Sequence, residues 1–272
     1  MEELYLSDIY IYPIKSLGGI RLQEAEVEPQ GLRYDRRWML VDEQGAFLTQ
    51  RQHAHMALLQ VALLPDGLQV THKQELLAPL FIPFEDNRTG PTIEVQIWDD
   101  VVPAQEVNRE DAHAWFSEAL GMPARLVHMP LSSRRLVDQR YARQNEVVSF
   151  ADAYPFMLIG QASLDDLNSR LQEPVPMDRF RPTFVFRGGT PFAEDTWQEF
   201  RIGTQSFCAV KPCARCVVIT INQNTTEKSA EPLRTLATYR LQKNKVMFGQ
   251  NLLQHGNGAV RIGDKIEVLR WR

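Results

Sequence analysis

The period of the hydrophobic pattern constrains this chain most. Over the first hundred residues apolar positions alternate in short runs, and each run stops at a turn signal. "LYLSDIYIYPIKS" reads as a strand ending near Pro13. "RWMLV" and "AFLT" read as two strands joined by "DEQG", with Gly45 as the left-handed turn residue. "LLQVALL" and "LQVTH" repeat the scheme around Pro65, Asp66 and Gly67, and "TIEVQIW" alternates as a half-buried strand. Short strands of this kind bury their apolar faces by closing into a barrel or a sandwich.

The period then changes. In "NREDAHAWFSEALG", Asn108 is the expected N-cap, Asp111 lies in the first turn and Gly121 ends the helix. Ala112, Trp115, Phe116, Ala119 and Leu120 form its apolar stripe. The arginine-rich "LSSRRLVDQRYARQNE" reads as a loop. "QASLDDLNSRL" reads as a second helix capped by Ser163, with Asp166 three residues on. After "RFRPTFVF" strands return through "QEFRIGTQSFCAV" and "CVVITIN", and "GAVRIGDKIEVL" reads as a hairpin turning at Gly263 and Asp264. The fold class is mixed α+β, mostly β. Two portions meet near residue 122 without a Gly/Ser linker and are expected to pack as one body.

Composition narrows the function classes. The 272 residues are 44% hydrophobic and 24% charged, which suffices for a buried core. A net charge of -4 gives no general electrostatic reason to bind nucleic acid. No apolar run approaches the roughly 20 residues that span a bilayer, and "MEELYLSDIY" lacks a signal-peptide pattern. The expected setting is cytoplasmic, without nucleic acid or membrane, where thiols stay reduced. The chain's 3 cysteines cannot complete a four-cysteine zinc site or an ordinary iron–sulfur cluster.

Two of those cysteines, Cys213 and Cys216 in "KPCARCVVITIN", carry the sharpest signal. Cys-x-x-Cys serves zinc, redox and cofactor sites alike. Zinc needs further ligands, and only His53 and His55 are closely spaced, pointing the same way if they lie on a strand. A thioredoxin-type pair should open a helix, whereas "VVITI" reads as a strand. Lys211 and Arg215 favour the thiolate that binds soft metals. Three small buried hydrophobes are the plain alternative. "YPIKSLGG" places Lys15 and Ser16 before two glycines, a combination suited to an anion or to an ordinary turn with a solvated lysine. "GLRYDRRW" and "DRFRP" add Arg33, Arg36, Arg37, Arg179 and Arg181, which are either solvated faces or bidentate ligands for phosphate and heterocycle edges.

Taken in order, "YPIKSLGG", "GLRYDRRWMLVD", "FLTQRQ", "YPFMLIGQASLDDLNSRL", "RFRPTFVF", "CARCVVITIN", "EPLRTLATYR", "FGQNLL" and "GNGAVRIGDKIEVL" resemble the MOSC superfamily with its N-terminal β-barrel extension. The resemblance covers nearly the whole chain. It is to members that reduce amidoximes and N-hydroxylated bases, and more distantly to the C-terminal domain of molybdenum-cofactor sulfurase. It implies an N-terminal β-barrel domain over 1–122 packed on a MOSC β-barrel with flanking helices over 123–272. It also implies a molybdenum cofactor, a pterin carrying a dithiolene and a phosphate. The single protein thiolate on molybdenum would be Cys216, with Cys213 as a packing neighbour. Lys15, Ser16, Arg36, Arg181, Arg215 and Asn251 match cofactor-contact positions. Ala153 and Tyr154 stand where relatives carry Ser or Thr, Ala214 replaces a frequent serine, and Thr183 stands where some relatives have Asn. The implied reaction is reduction of N-oxygenated small molecules, releasing the oxygen as water with two electrons and two protons. The electrons would come from a separate ferredoxin, flavodoxin or flavin reductase, because the chain has no cysteines left for a cluster. The competing expectation is a sulfur carrier holding a persulfide on Cys216 without redox turnover.

Overall fold

The computed structural model describes residues 3–75, 77–88 and 90–272. Its spine is a nine-stranded sheet whose two longest members are Gln205–Arg215 and Lys245–His255, paired antiparallel. Trp197–Ile202 and Ile266–Trp271 lie outside Gln205–Arg215. On the far side come Phe156–Gly160, Phe184–Arg187, Tyr5–Ile11 and Ile20–Leu22. The first strand of the chain thus pairs with Phe184–Arg187, and Glu24–Glu28 pairs with Gly258–Arg261. Strands from before residue 122 are ladder partners of strands from after it. Trp38–Val41, Arg125–His128, Asp100–Glu106 and Thr92–Ile97 form a second sheet, and Leu59–Leu64, Gly67–His72 and Leu80–Pro83 a third.

Several elements form for the reasons their residues suggest. Leu64 pairs with Gly67, leaving Pro65 and Asp66 as the turn. Thr92–Ile97 buries Val95 and Ile97 on one face, as alternation requires. The helix Glu110–Leu120 stops at Gly121, whose φ of 64° is the left-handed cap that glycine adopts without steric cost. Its stripe of Ala112, Phe116, Ala119 and Leu120 enters a core with Trp38, Leu40, Leu59 and Leu126, and Trp115 packs against that core from its rim.

Other expectations are corrected. Arg109, not Asn108, occupies the N-cap position, and it makes no side-chain cap bond. The helix Gln161–Asn168 begins after Gly160, so Ser163 lies inside it and is not a cap. The Ser163 hydroxyl donates instead to the buried Glu194 carboxylate at 2.9 Å, a partner thirty-one positions away, while Asp166 pairs with Arg170. "AFLT" makes only isolated bridges, Phe47 to Val41 and Ala46 to Gln96. The C-terminal segment is no hairpin, because Gly258–Arg261 and Ile266–Trp271 belong to different sheets. "VVIT" is a single 3₁₀ turn, Val217–Thr220, so Cys216 follows a strand and does not open one. His53 precedes another such turn, Ala54–Leu58, and His55 lies within it, with rings 6.0 Å apart, and His55 contacts the Leu120 carbonyl.

Candidate functional site

The strand Gln205–Arg215 carries the site because it is irregular. Its register against Lys245–His255 shifts between Ala209 and Lys211 and again between Pro212 and Ala214. A regular strand would turn alternate side chains away, and bulges undo that alternation. The strand can accept Pro212 there because a bulge relaxes the ladder. As a result Lys211, Pro212, Cys213, Ala214, Arg215 and Cys216 all line one cavity of about 390 Å³.

The opposite wall comes from loops distant in sequence. Lys15, Ser16, Arg36, Arg51, Trp98, Asp152, Ala153, Tyr154, Arg181, Thr183 and Asn251 complete the lining with several apolar neighbours. Every residue singled out from the sequence as a cofactor contact therefore lies on this one surface. Four of the ten non-glycine residues with positive φ are here: Ser16 at 69°, Arg36 at 49°, Trp98 at 57° and Arg181 at 52°. Such backbone costs on the order of 1–3 kcal/mol per residue and gathers where function requires a given side-chain direction.

Six cationic side chains face one carboxylate across this cavity. Lys15 is buried, and its Nζ donates to the Phe150 carbonyl at 2.8 Å and to Asp152 Oδ1 at 2.6 Å. Burial lowers its pKa to about 8 despite the attraction of Asp152. Asp152 also accepts from Arg51 Nη2 at 2.8 Å. Burial opposes the Asp152 charge, but Lys15 and Arg51 hold its carboxyl far below the usual carboxylate range. Its side chain is 53% exposed, and that exposure is toward the cavity. Arg51 reaches on to Cys216. Burial works against the guanidinium charge, while Asp152 and the Cys216 sulfur more than offset it and raise its pKa.

The remaining arginines are held mainly without carboxylates. Arg36 and Arg181 sit 4.2 Å from the Tyr12 ring, one guanidinium each. Arg36 has a two-pronged partner in buried Asp35, at 2.9 and 2.7 Å. Arg181 has only the Leu17 carbonyl, at 2.8 Å, and burial lowers its pKa to about 10. Arg215 donates to the Phe180 carbonyl at 2.5 Å and to Cys213 Sγ at 3.1 Å. Arg215 Nε and the Tyr154 hydroxyl are buried with no hydrogen-bond partner among the described residues. Thr183 ties its hydroxyl to the Met157 amide at 3.2 Å, and Asn251 Nδ2 points at the Pro212 carbonyl at 3.4 Å. Ala153 and Ala214 offer backbone alone.

This donor set fits a metal-bearing pterin. Cys216 could supply one soft ligand, Arg181 supplies charge with no ion pair among the described residues, and Arg215 Nε and the Tyr154 hydroxyl are orphaned. Among the described residues no three His, Cys, Asp or Glu side chains converge as a metal cage. A metal carried by a cofactor needs only the single protein donor. All three cysteines are free, and Cys208 is buried with its thiol pKa pushed up by that burial. Sequence reasoning passed over Arg51, Asp152 and Trp98. The available signal for Arg51 was the "FLTQRQ" segment, while nothing near Trp98 or Asp152 marks them in one dimension.

A second, larger cavity of about 730 Å³ lies behind the turns Met177–Phe180 and Val217–Thr220. Its lining includes Arg170, Arg179 and Arg234 together with Glu173, Asp178 and Glu231. Among the described residues no helix is long and apolar enough to cross a membrane.

Comparison with known proteins gives the family of the chain. Residues 3–123 match the MOSC N-terminal beta barrel domain and residues 145–267 the MOSC domain. Mitochondrial amidoxime-reducing component 1 of Mus musculus is 34% identical over 285 residues, covering 97% of this chain and 82% of that protein. Molybdenum cofactor sulfurase of Oryza sativa subsp. japonica is 33% identical over 279 residues, covering 92% of this chain but 32% of the sulfurase. Among solved structures, the YUAD protein of Bacillus subtilis aligns over 97% of this chain and 94% of its own, with a TM-score of 0.41 and 9% identity, too distant to carry an argument.

Proposed function

Because this chain belongs to the MOSC family, with that family's N-terminal barrel domain ahead of it, we propose that it is a molybdenum-cofactor-dependent reductase of N-oxygenated small molecules. One observation carries the reading. Cys216 stands at the end of a bulged strand, inside a cavity where six cations face one carboxylate. When bound, the cofactor would supply two-electron chemistry at a metal held by the Cys216 thiolate. Lys15, Arg36, Arg181 and Arg215 would hold its anionic groups, and Asn251, Thr183 and the backbone at Ser16, Ala153, Tyr154 and Ala214 would fix its orientation. Arg51, clamped by Asp152, would orient the sulfur. The two electrons would come from a separate donor protein of the ferredoxin, flavodoxin or flavin-reductase class. The proposed compartment is a reducing one, the cytosol, because Cys216 must remain a thiolate.

The test is elemental analysis of protein made in a host that synthesises the cofactor, native against Cys216→Ala. The native protein should hold molybdenum and reduce an amidoxime with a chemical reductant but not with NAD(P)H alone. Cys216→Ala should lose most of the metal. Equal metal in both forms removes the ligand assignment. A single additional sulfur on Cys216, with no molybdenum, turns the reading to a persulfide carrier, the alternative that similarity to the sulfurase keeps open.

A further inference from the structure

Trp98 is poorly placed for a fold residue. Ile97 pairs with Asp100, so Trp98 and Asp99 form a two-residue hairpin turn. The favoured turns of this length need positive φ at their first central residue, where glycine, asparagine or aspartate ordinarily sits. Here that residue is a tryptophan, at φ 57°. A bulky side chain in this conformation is strained.

Three contacts fix the indole without burying it. The Arg51 guanidinium lies 4.4 Å from one ring face, and Phe47 meets it edge-on at 4.8 Å. Nε1 donates to Asp152 Oδ1 at 3.4 Å. Trp98 nevertheless stays 37% exposed, and it lines the Cys216 cavity. Arg51, held by Asp152, lines the same cavity as Cys216 and interacts with its sulfur. An aromatic surface is therefore locked in strained backbone, left open, and referenced to the sulfur through a single guanidinium. The hairpin that carries it comes from the front half of the chain, whereas Cys216 comes from the back.

We propose that Trp98 is the specificity-determining wall of this site, a stacking surface for flat, conjugated N-oxygenated substrates such as aryl amidoximes and N-hydroxylated heteroaromatic bases. This rests on the reductase reading given above. An indole face attracts planar, electron-poor or cationic π systems. A small hydroxylamine offers it no flat surface.

The experiment compares native protein, Trp98→Gly and Trp98→Phe, each loaded with molybdenum cofactor. Glycine suits the positive φ, so Trp98→Gly removes the ring while relieving the turn. Steady-state kinetics with a chemical reductant are run on benzamidoxime and on hydroxylamine. Calorimetry measures benzamidoxime binding without reductant. For benzamidoxime, Trp98→Gly should raise KM and Kd together by about three- to tenfold, the scale of one lost aromatic stack. Its kcat should fall less than its KM rises, and any loss on hydroxylamine should be several-fold smaller than the loss on benzamidoxime at matched molybdenum content. Trp98→Phe should recover most of the loss. Equal losses on both substrates, or a fall in kcat alone, would mean that Trp98 only steadies Arg51, and would overturn the proposal. So would a native protein that binds no benzamidoxime. If native protein reduces neither substrate, the reductase reading falls, and the calorimetric difference between native and Trp98→Gly still decides the stacking role.

Discussion

Two cavities meet at the turn Met177–Phe180, and both are rich in arginine, yet they are built on opposite electrostatic plans. In the larger one two of the three arginines are paired, Arg170 with Asp166 at 2.9 Å and Arg234 with Glu231 at 2.7 Å, while Arg179 rests on the Ile219 carbonyl at 3.2 Å. In the smaller one Arg36 has Asp35, but the guanidiniums of Arg181 and Arg215 rest on carbonyls and rings, and Lys15 and Arg51 share one carboxylate. Size and arginine count therefore do not identify the site. What identifies it is positive charge that the protein buries and leaves unbalanced. A buried charge is costly unless something completes it, and in the smaller cavity the completing group must come from outside.

The comparison can be broken most directly at Arg181. Arg181→Met should reduce retained molybdenum by about 10- to 100-fold, the worth of lost hydrogen bonds from a charged donor. Arg234→Ala, made in the other cavity, should leave metal content unchanged. If the two substitutions behave alike in elemental analysis, the contrast between the cavities has no functional meaning.

Lys15 sharpens the same point through stability. Folding lowers its pKa from 10.5 to about 8, so unfolding takes up a proton between those values. The buried ammonium costs the cofactor-free fold stability at neutral pH, and that cost fades as pH rises through the window. Lys15→Met should thus raise the melting temperature of cofactor-free protein at pH 7 by about 2–4 °C while lowering metal retention. Its advantage should vanish above about pH 10.5. A variant that melts lower at pH 7 would show that the ammonium is already well compensated without the cofactor.

The smallest effect belongs to the balanced cavity. The Arg234 side chain is 73% exposed in its pair with Glu231, and exposed pairs contribute little. Arg234→Ala should change unfolding free energy by less than about 1 kcal/mol in a denaturant titration. A larger loss would make this cavity's ion pairs structural and not merely neutralising.

Much of the site was readable in one dimension because its parts carry unusual local chemistry: a Cys-x-x-Cys pair, a lysine and serine before two glycines, and arginine beside proline. Those residues converge on one surface. What could not be read depends on partners distant in sequence. "VVIT" has the composition of a strand, but after the bulged strand it closes into a single turn. Ser163 has the residue type of a cap, yet Glu194 captures its hydroxyl. Arg51, Trp98 and Asp152 come from three separate segments, and only the fold makes them neighbours of Cys216. The terminal "hairpin" failed for a related reason, since each of its strands found a better partner in another sheet.

The ladder between Tyr5–Ile11 and Phe184–Arg187 has an implication for how such chains diversify. The same early segment delivers Lys15 and Ser16 to the cavity, and its Tyr12 lies against guanidiniums from both halves. A chimera spliced at residue 122 from two diverged parents would inherit half of the binding surface from each. Its two inheritances would have to match at the seam as well as at the pocket, so this architecture favours descent as an undivided block.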